Sequence, residues 1–245
     1  WGRLIGAAFG TPLIWFLLRG LVPQWLKPHL ILLFILGGLQ GVIGWWMVKS
    51  GFVDRHDVSQ YRLAVHLSVA FVILGYMIWL IGDLLDQTTH RARAPIWLSR
   101  LLAGYVVLVF ITLISGGLVA GLGAGFDYNS WPLQAGALIP SGLFDTDPVW
   151  RAAFEDILTV QFNHRMLAYA SVITAIAAYL SGRSAIGPGP RIRYLKALAL
   201  AAVLQLTLGV TTLLSVVAIP LAVLHQAGAI LLFCCAVLAY RAHRT

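Results

Sequence analysis

The stretch Ala197–Tyr240 reads ALALAAVLQLTLGVTTLLSVVAIPLAVLHQAGAILLFCCAVLAY and contains no Lys, Arg, Asp or Glu. A helix needs about 20 largely apolar residues to cross a bilayer, so this uncharged run is long enough for two helices. Pro220 is the natural point of division, because proline is tolerated in the first turn of a helix and disrupts its interior. The stretch therefore predicts a transmembrane hairpin.

Shorter apolar runs separated by charges fill the rest of the chain, whose 245 residues are 60% hydrophobic and 11% charged. Soluble domains carry about 25% charged residues, so this composition excludes an ordinary soluble protein and indicates an all-α integral membrane protein. We predict seven transmembrane helices, A to G, near residues 1–18, 30–49, 60–82, 98–121, 159–181, 194–214 and 220–240. Helix A is short for a membrane crossing, which suggests that further residues precede Trp1.

The net charge of +8 is distributed unevenly between the two sides of this topology. The A–B, C–D and E–F loops and the C-terminal end carry most of the Lys and Arg residues, whereas the other side is close to neutral. The positive-inside rule places the basic side in the cytoplasm or the mitochondrial matrix. We therefore expect a multi-pass protein of a bacterial or mitochondrial inner membrane. Because topology explains the basic character, no nucleic-acid partner is expected.

The longest connection, 121–154, lies on the opposite, outer side. Its second half predicts a short interfacial helix with Asp147 as N-cap and Pro148 as the first helical residue. Trp150 and Phe154, four residues apart, would lie at the level of the lipid headgroups. The aromatic and glycine content of this loop favours an ordered cap over the helices rather than a flexible insertion.

Two of the predicted hairpins resemble each other. Leu39-Gln40-Gly41-Val42-Ile43-Gly44 in helix B matches Leu204-Gln205-Leu206-Thr207-Leu208-Gly209 in helix F. A histidine follows each, His66 in helix C and His225 in helix G. The hairpins B–C and F–G are therefore interpreted as one hairpin used twice.

The repeat predicts two tandem four-helix bundles related by a pseudo-two-fold axis along the membrane normal. We expect an incomplete N-terminal half-bundle in residues 1–90 and a complete four-helix bundle in residues 91–245. The first helix of the eight-helix fold, with a fourth histidine, would then precede Trp1.

Three of the seven histidines, His66, His164 and His225, lie inside or at the mouth of apolar helices. An ionisable residue is costly there and by default marks a functional site. All three are expected at the outer ends of their helices, at a similar depth. Each could instead be a hydrogen-bonded packing residue, although three at one depth favour a common function.

Paired histidines on facing helices are what a bis-histidine haem requires. A transition-metal site without haem would normally include carboxylate or cysteine ligands, which the spans do not offer convincingly. Haem propionates favour guanidinium partners at the water boundary, where Arg62, Arg165 and Arg3 are expected. The alternative for each arginine is an interaction with the lipid headgroups.

The ordered set of motifs in this chain resembles the haem A synthase family, in the form shared by mitochondria and alphaproteobacteria. The resemblance rests on Gln161-Phe162-Asn163-His164-Arg165-Met166, Val58-Ser59-Gln60-Tyr61-Arg62-Leu63-Ala64-Val65-His66-Leu67, Gly116-Gly117-Leu118-Val119-Ala120-Gly121, Tyr128-Asn129-Ser130-Trp131-Pro132 and Leu224-His225-Gln226-Ala227-Gly228. It extends over essentially the whole chain, and each motif alone is weak.

The resemblance implies an eight-helix protein in which His164 and His225 hold a haem b in the C-terminal bundle. His66 would be an axial ligand at the haem O substrate site in the N-terminal bundle. The family's candidate catalytic acid is a glutamate that would precede Trp1, so no catalytic residue is assigned in this chain. Gln161 occupies the equivalent position in the second half, and the family's usual aspartate in the loop motif is Gly123 here.

The implied reaction is oxidation of the C8 methyl of haem O to a formyl group, which gives haem A for terminal oxidases. The implied partners are haem O synthase, an unidentified electron donor and the cytochrome oxidase assembly machinery, and a homo-oligomer is possible. Two alternatives stay open, a b-type electron-transfer cytochrome and a haem carrier without haem chemistry of its own.

Overall fold

The computed structural model describes residues 2–50, 58–85 and 94–244, and most of them are helical. Within these ranges lie eight α-helices and one short 3-10 helix, Ala124–Phe126. The α-helices are α1 Gly2–Leu18, α2 Lys27–Lys49, α3 Gln60–Leu85, α4 Ile96–Gly121, α5 Val149–Glu155, α6 Ile157–Ile186, α7 Pro190–Leu214 and α8 Ile219–His243. Helices A to G thus correspond to α1 to α4 and α6 to α8.

Six of these helices, α2 to α4 and α6 to α8, are long and apolar enough to cross a membrane. The seventh, α1, is an apolar helix of 17 residues. The described residues contain no β-strand, only one isolated bridge between Gln134 and Ala137. The prediction of an all-α, multi-pass membrane protein is therefore confirmed.

Prolines and one carboxylate define several helix starts. Proline lies in the first turn of α2, α7 and α8, which confirms the division of the long apolar run near Pro220. The predicted start of α5 was wrong by one residue, because Pro148 has an extended backbone (φ −70°, ψ 146°) and α5 begins at Val149. Asp147 is therefore not its N-cap. The capping carboxylate is Asp156, which accepts a 2.7 Å hydrogen bond from the Thr159 N–H at the start of α6.

Helices α4, α6, α7 and α8 pack in a closed ring, each against two neighbours. Its inner half is filled by large apolar side chains together with Tyr105, whose hydroxyl lies 3.0 Å from the Ser171 hydroxyl. The fully buried members are Leu98, Leu102, Tyr105, Leu195 and Leu198. Helices α1, α2 and α3 instead follow one another in a row, with α2 packed against both others. The expected boundary between residues 90 and 91 lies outside the described residues.

Helix α3 joins the row to the ring, because it packs against both α4 and α8. The rings of Phe71 and Phe233 meet edge to face with centroids 5.2 Å apart. Gly121 of α4 lies against the backbone of Gln60, where an added Cβ would come within 2.5 Å of the Gln60 Cα. At the inner end, Arg241 donates a 2.6 Å hydrogen bond to Asp83. The two halves are thus held together along the full length of α3.

Candidate haem site

The three histidines singled out from the sequence lie about two turns into helices that all begin on the outer side. His66 is in α3, His164 in α6 and His225 in α8. At 1.5 Å per residue, each lies on the order of 10 Å from the start of its helix. Counted from the starts of their helices, the three histidines therefore lie at a similar depth.

His225 is contacted by two residues of the neighbouring helix α7. The Gln205 side-chain amide donates a 3.0 Å hydrogen bond to the His225 carbonyl oxygen, and the same Nε2 lies 3.1 Å from the ring Nδ1. One turn further along α7, Gly209 lies against the ring edge, where an added Cβ would be 2.9 Å from Cε1. A glycine is therefore needed for the imidazole to lie this close to α7.

His66 has the same neighbours in the other half. Gln40 of α2 donates a 3.0 Å hydrogen bond to the His66 carbonyl oxygen, and its Nε2 lies 3.4 Å from the ring Nε2. An added Cβ at Gly44 would be 3.0 Å from the His66 Cε1. The repeated sequence pattern thus corresponds to a repeated contact, although the amide faces Nε2 in one ring and Nδ1 in the other.

His164 is held by α4 with a different polar residue. The Ser115 hydroxyl lies 2.8 Å from the His164 Nδ1 and donates to the Thr112 carbonyl oxygen, also at 2.8 Å. Because that hydroxyl proton is used by Thr112, the Ser115 oxygen is free to accept from Nδ1–H. An added Cβ at Gly116 would be 3.1 Å from the His164 Cε1. Each of the three imidazoles thus has a glycine at Cε1 and a polar side chain at one ring nitrogen.

The closed ring of α4, α6, α7 and α8 contains both His164 and His225, each about two turns from the start of its helix. Among the described residues, no hydrogen bond engages Nε2 of either imidazole. In the other half, Nδ1 of His66 is buried and has no hydrogen-bond partner among the described residues. A haem ligand needs an uncommitted ring nitrogen and a second nitrogen held by a neighbour. The three histidines meet both conditions, so the residues present fit a haem.

A non-haem metal site has less support. Within residues 2–50, 58–85 and 94–244, no group of three or more His, Cys, Asp or Glu side chains could hold a metal ion. A haem needs only two protein ligands because the porphyrin supplies the other four. The described side chains therefore suit a haem better than a metal ion bound by the protein alone.

The arginines expected to contact propionates lie in different surroundings. Arg62 of α3 donates a 2.8 Å hydrogen bond to the Trp46 carbonyl oxygen, and its guanidinium lies 4.6 Å from the centroid of the Trp46 ring. This leaves most of its N–H groups available at the outer end of the His66 half. Arg3 is exposed near the start of α1. Both positions are compatible with a propionate or with lipid headgroups.

Arg165 is buried and serves the outer loop instead. Its guanidinium donates hydrogen bonds to the carbonyl oxygens of Tyr128 (2.8 Å), Ser130 (3.0 Å) and Leu133 (3.2 Å). A fourth bond, of 2.8 Å, reaches the Gln161 Oε1, and Gln161 in turn donates to the Ala124 carbonyl oxygen at 2.7 Å. Only Nε of Arg165 lacks a partner among the described residues. The geometry thus favours a structural role over the predicted propionate contact.

Further side-chain hydrogen bonds fix this loop over the closed ring. The Asn129 amide donates to the carbonyl oxygens of Gly125 and Leu213, and Gln134 donates to that of Leu158. The Trp131 indole N–H donates to the Tyr169 hydroxyl. The loop is therefore an ordered cap above the ends of α4, α6 and α7, next to His164.

Sequence reasoning did not identify Ser115 or the roles of the three glycines. A signal was present for Gly44 and Gly209, since each follows the repeated glutamine by four residues and so lies on the same helix face. Gly116 has no counterpart in the first half, and only the structure shows that it contacts His164.

A family model for the cytochrome oxidase assembly protein matches residues 1–237. Among curated proteins, "Heme A synthase" of Parvibaculum lavamentivorans is 46% identical over 99% of this chain and 68% of its own length. "Heme A synthase" of Paramagnetospirillum magneticum is 44% identical over 95% of this chain and 66% of its own length. "Heme A synthase" of Rhodospirillum centenum is 45% identical over 95% of this chain and 62% of its own length.

The chain thus spans about two thirds of the length of these relatives, between 62% and 68%. No solved structure matches it. The family model covers nearly the whole chain, including all three outer histidines and the glycines packed on them. The chain belongs to the cytochrome oxidase assembly protein family.

Proposed function

We propose that this protein is a haem A synthase, which oxidises the C8 methyl of haem O to a formyl group and so supplies haem A to terminal oxidases. The observation that carries the proposal is the set of three outer histidines, each with a ring nitrogen uncommitted among the described residues. Two lie in the closed ring of helices, and the third lies in the row formed by α1 to α3. The curated relatives named above support the same activity.

The two kinds of site suggest that the two bound haems have different roles. His164 and His225 would hold a haem b, and His66 would frame the haem O substrate. A bis-histidine haem iron supplies reversible one-electron transfer. The chain's own residues orient the imidazoles, bury the porphyrin between apolar helices, and exclude water beneath the ordered outer loop. Arg62 and Arg3 would bind the propionates of the substrate haem, whereas Arg165 would stabilise the loop next to the haem b half.

The charges of the loops support an orientation of the haem sites in the membrane. The predicted inner ends of the spans are basic, so the haem sites would face the periplasm or the intermembrane space of an inner membrane. Haem O synthase and an electron donor are the expected partners there.

The contact between Gly116 and His164 gives a prediction for the haem b content of the protein. An alanine at Gly116 would place a methyl group 3.1 Å from the His164 Cε1 and displace the imidazole by a few tenths of an ångström. We expect Gly116→Ala to lower the haem b content of the purified protein, on the order of tenfold as for other changes around metal ligands. Haem content per protein, from the reduced-minus-oxidised spectrum, measures this.

Gly104→Ala is the matched control in the same helix, because an added Cβ there has no neighbour within 4 Å. Its haem content should equal that of the wild type, and its helix should be stabilised by up to about 1 kcal/mol. Equal haem content in both variants would show that the His164 ring is not held through Gly116.

Product analysis tests the proposed function. Cells that express the protein together with a source of haem O should contain haem A in their extracted haems. Haem O alone would overturn the proposal, and a protein that is reversibly reduced without a formyl product would favour an electron-transfer cytochrome. Recovery of unchanged haem O bound to the protein would instead favour a carrier.

A further inference from the structure

The glutamines at the matching positions of the two hairpins make an unusual set of contacts. In each, one amide nitrogen bonds the carbonyl oxygen of a histidine and also approaches its ring. The amide oxygens of Gln40 and Gln205 are both buried without a partner among the described residues. A buried acceptor without a partner is costly, and the same cost is present in both halves.

A ligated histidine would use such an acceptor. When one ring nitrogen of a neutral imidazole binds iron, the other carries a proton and needs an acceptor. An amide nitrogen cannot accept that proton, but the oxygen of the same carboxamide can. A half-turn of the Gln205 carboxamide would exchange the two atoms and bring Oε1 toward the Nδ1–H of His225, at the cost of the amide bond to the His225 carbonyl oxygen.

We propose that Gln205 and Gln40 are positioning residues that fix the ring rotation of His225 and His66 and accept the ring N–H of each histidine when its other nitrogen binds haem iron. This inference rests on the proposed function. The glycine one turn away blocks the ring on its Cε1 side, and the glutamine holds it at a nitrogen. Ser115 and Gly116 give His164 the same two restraints from α4.

A simpler role is also available to these glutamines. Polar side chains often join transmembrane helices, and the bond from each amide to a histidine carbonyl would tie α7 to α8 and α2 to α3. A role limited to helix packing predicts no electronic effect on the iron. The two roles therefore differ in the midpoint potential of the haem.

The deciding experiment is a potentiometric titration of haem b in the purified protein, combined with low-temperature electron paramagnetic resonance of the ferric form. Gln205→Met keeps the side-chain volume and removes both the donor and the acceptor. Loss of an acceptor weakens electron donation by the imidazole, so we expect a higher midpoint potential and shifted g-values. Gln205→Glu retains an acceptor oxygen in either protonation state, so its potential should equal that of the wild type or lie below it.

Two controls complete the design. Thr207→Val changes a lipid-exposed residue of α7 whose hydroxyl bonds only within its own helix, and it should leave potential and g-values unchanged. Gln40→Met should leave haem b unchanged and weaken the binding of haem O.

The inference and the proposed function fail in different ways. If His225→Ala retains haem b, the ligand assignment in the proposed function is wrong. If His225→Ala loses haem b, the proposed function stands and the glutamine variants decide the inference. The inference is overturned if Gln205→Met leaves the midpoint potential and g-values unchanged. It is also overturned if Gln205→Glu raises the midpoint potential as Gln205→Met does.

Discussion

His164→Ala and His225→Ala should each abolish the haem b spectrum of the protein, whereas His66→Ala should retain it. His164 and His225 both lie in the closed ring of α4, α6, α7 and α8, and His66 lies in the row of α1 to α3. A bis-histidine haem held by these two residues would lose its six-coordinate, low-spin state when either imidazole is removed. The expected effect is complete loss of the bis-histidine signal in optical and electron paramagnetic resonance spectra.

His66→Ala serves as the internal control, since it removes a histidine of the same depth and similar surroundings. It should reduce conversion of haem O while haem b stays fully bound. Loss of haem b in this variant, with retention in His225→Ala, would show that the roles of the two halves are reversed.

The second large effect is expected at Arg165. Arg165→Met preserves the length of the side chain but leaves the carbonyl oxygens of Tyr128 and Ser130 and the Gln161 Oε1 without their donors, whereas the Leu133 carbonyl oxygen keeps its bond from the Ser130 hydroxyl. Each lost partner of a buried polar group costs about 1–3 kcal/mol. We expect a loss of stability on the order of 3 kcal/mol or more, visible as a lower midpoint of thermal unfolding in detergent. Residues 127–148 should also be cleaved faster in limited proteolysis.

Arg151→Met is the matched control for this change. Arg151 is an exposed arginine of α5 that pairs with Glu155 at 2.6 Å. Exposed pairs of this kind contribute about 0–1 kcal/mol, so the variant should unfold close to the wild type. Equal unfolding midpoints for Arg165→Met and Arg151→Met would contradict the assigned role of Arg165 in the outer loop.

Helix positions were predictable because the bilayer imposes a simple requirement on length and charge. The uncharged runs located all seven helices, and Pro220 located the turn between α7 and α8. The repeated glutamine and histidine spacing identified the two hairpins as copies of one another, and the structure shows the same glutamine contact at His66 and His225.

The start of α5 and the partners of Arg165 were not predictable in the same way. A proline can be the first helical residue or the residue before it, and only the backbone of Pro148 distinguishes the two. The acceptors of Arg165 are backbone carbonyls of a loop, which have no sequence signature and depend on how that loop folds over the helices. Likewise, the charges of Asp83 and Arg241 were interpreted from the sequence only as indicators of membrane topology. The structure pairs the two side chains across the two halves.

An experimental structure of the protein with bound haem tests the central claim most directly. We expect one haem iron between the Nε2 atoms of His164 and His225, inside the ring of α4, α6, α7 and α8. We also expect a separate porphyrin site next to His66. An iron ligated by other side chains, or a haem bound only in the His66 half, would contradict this arrangement.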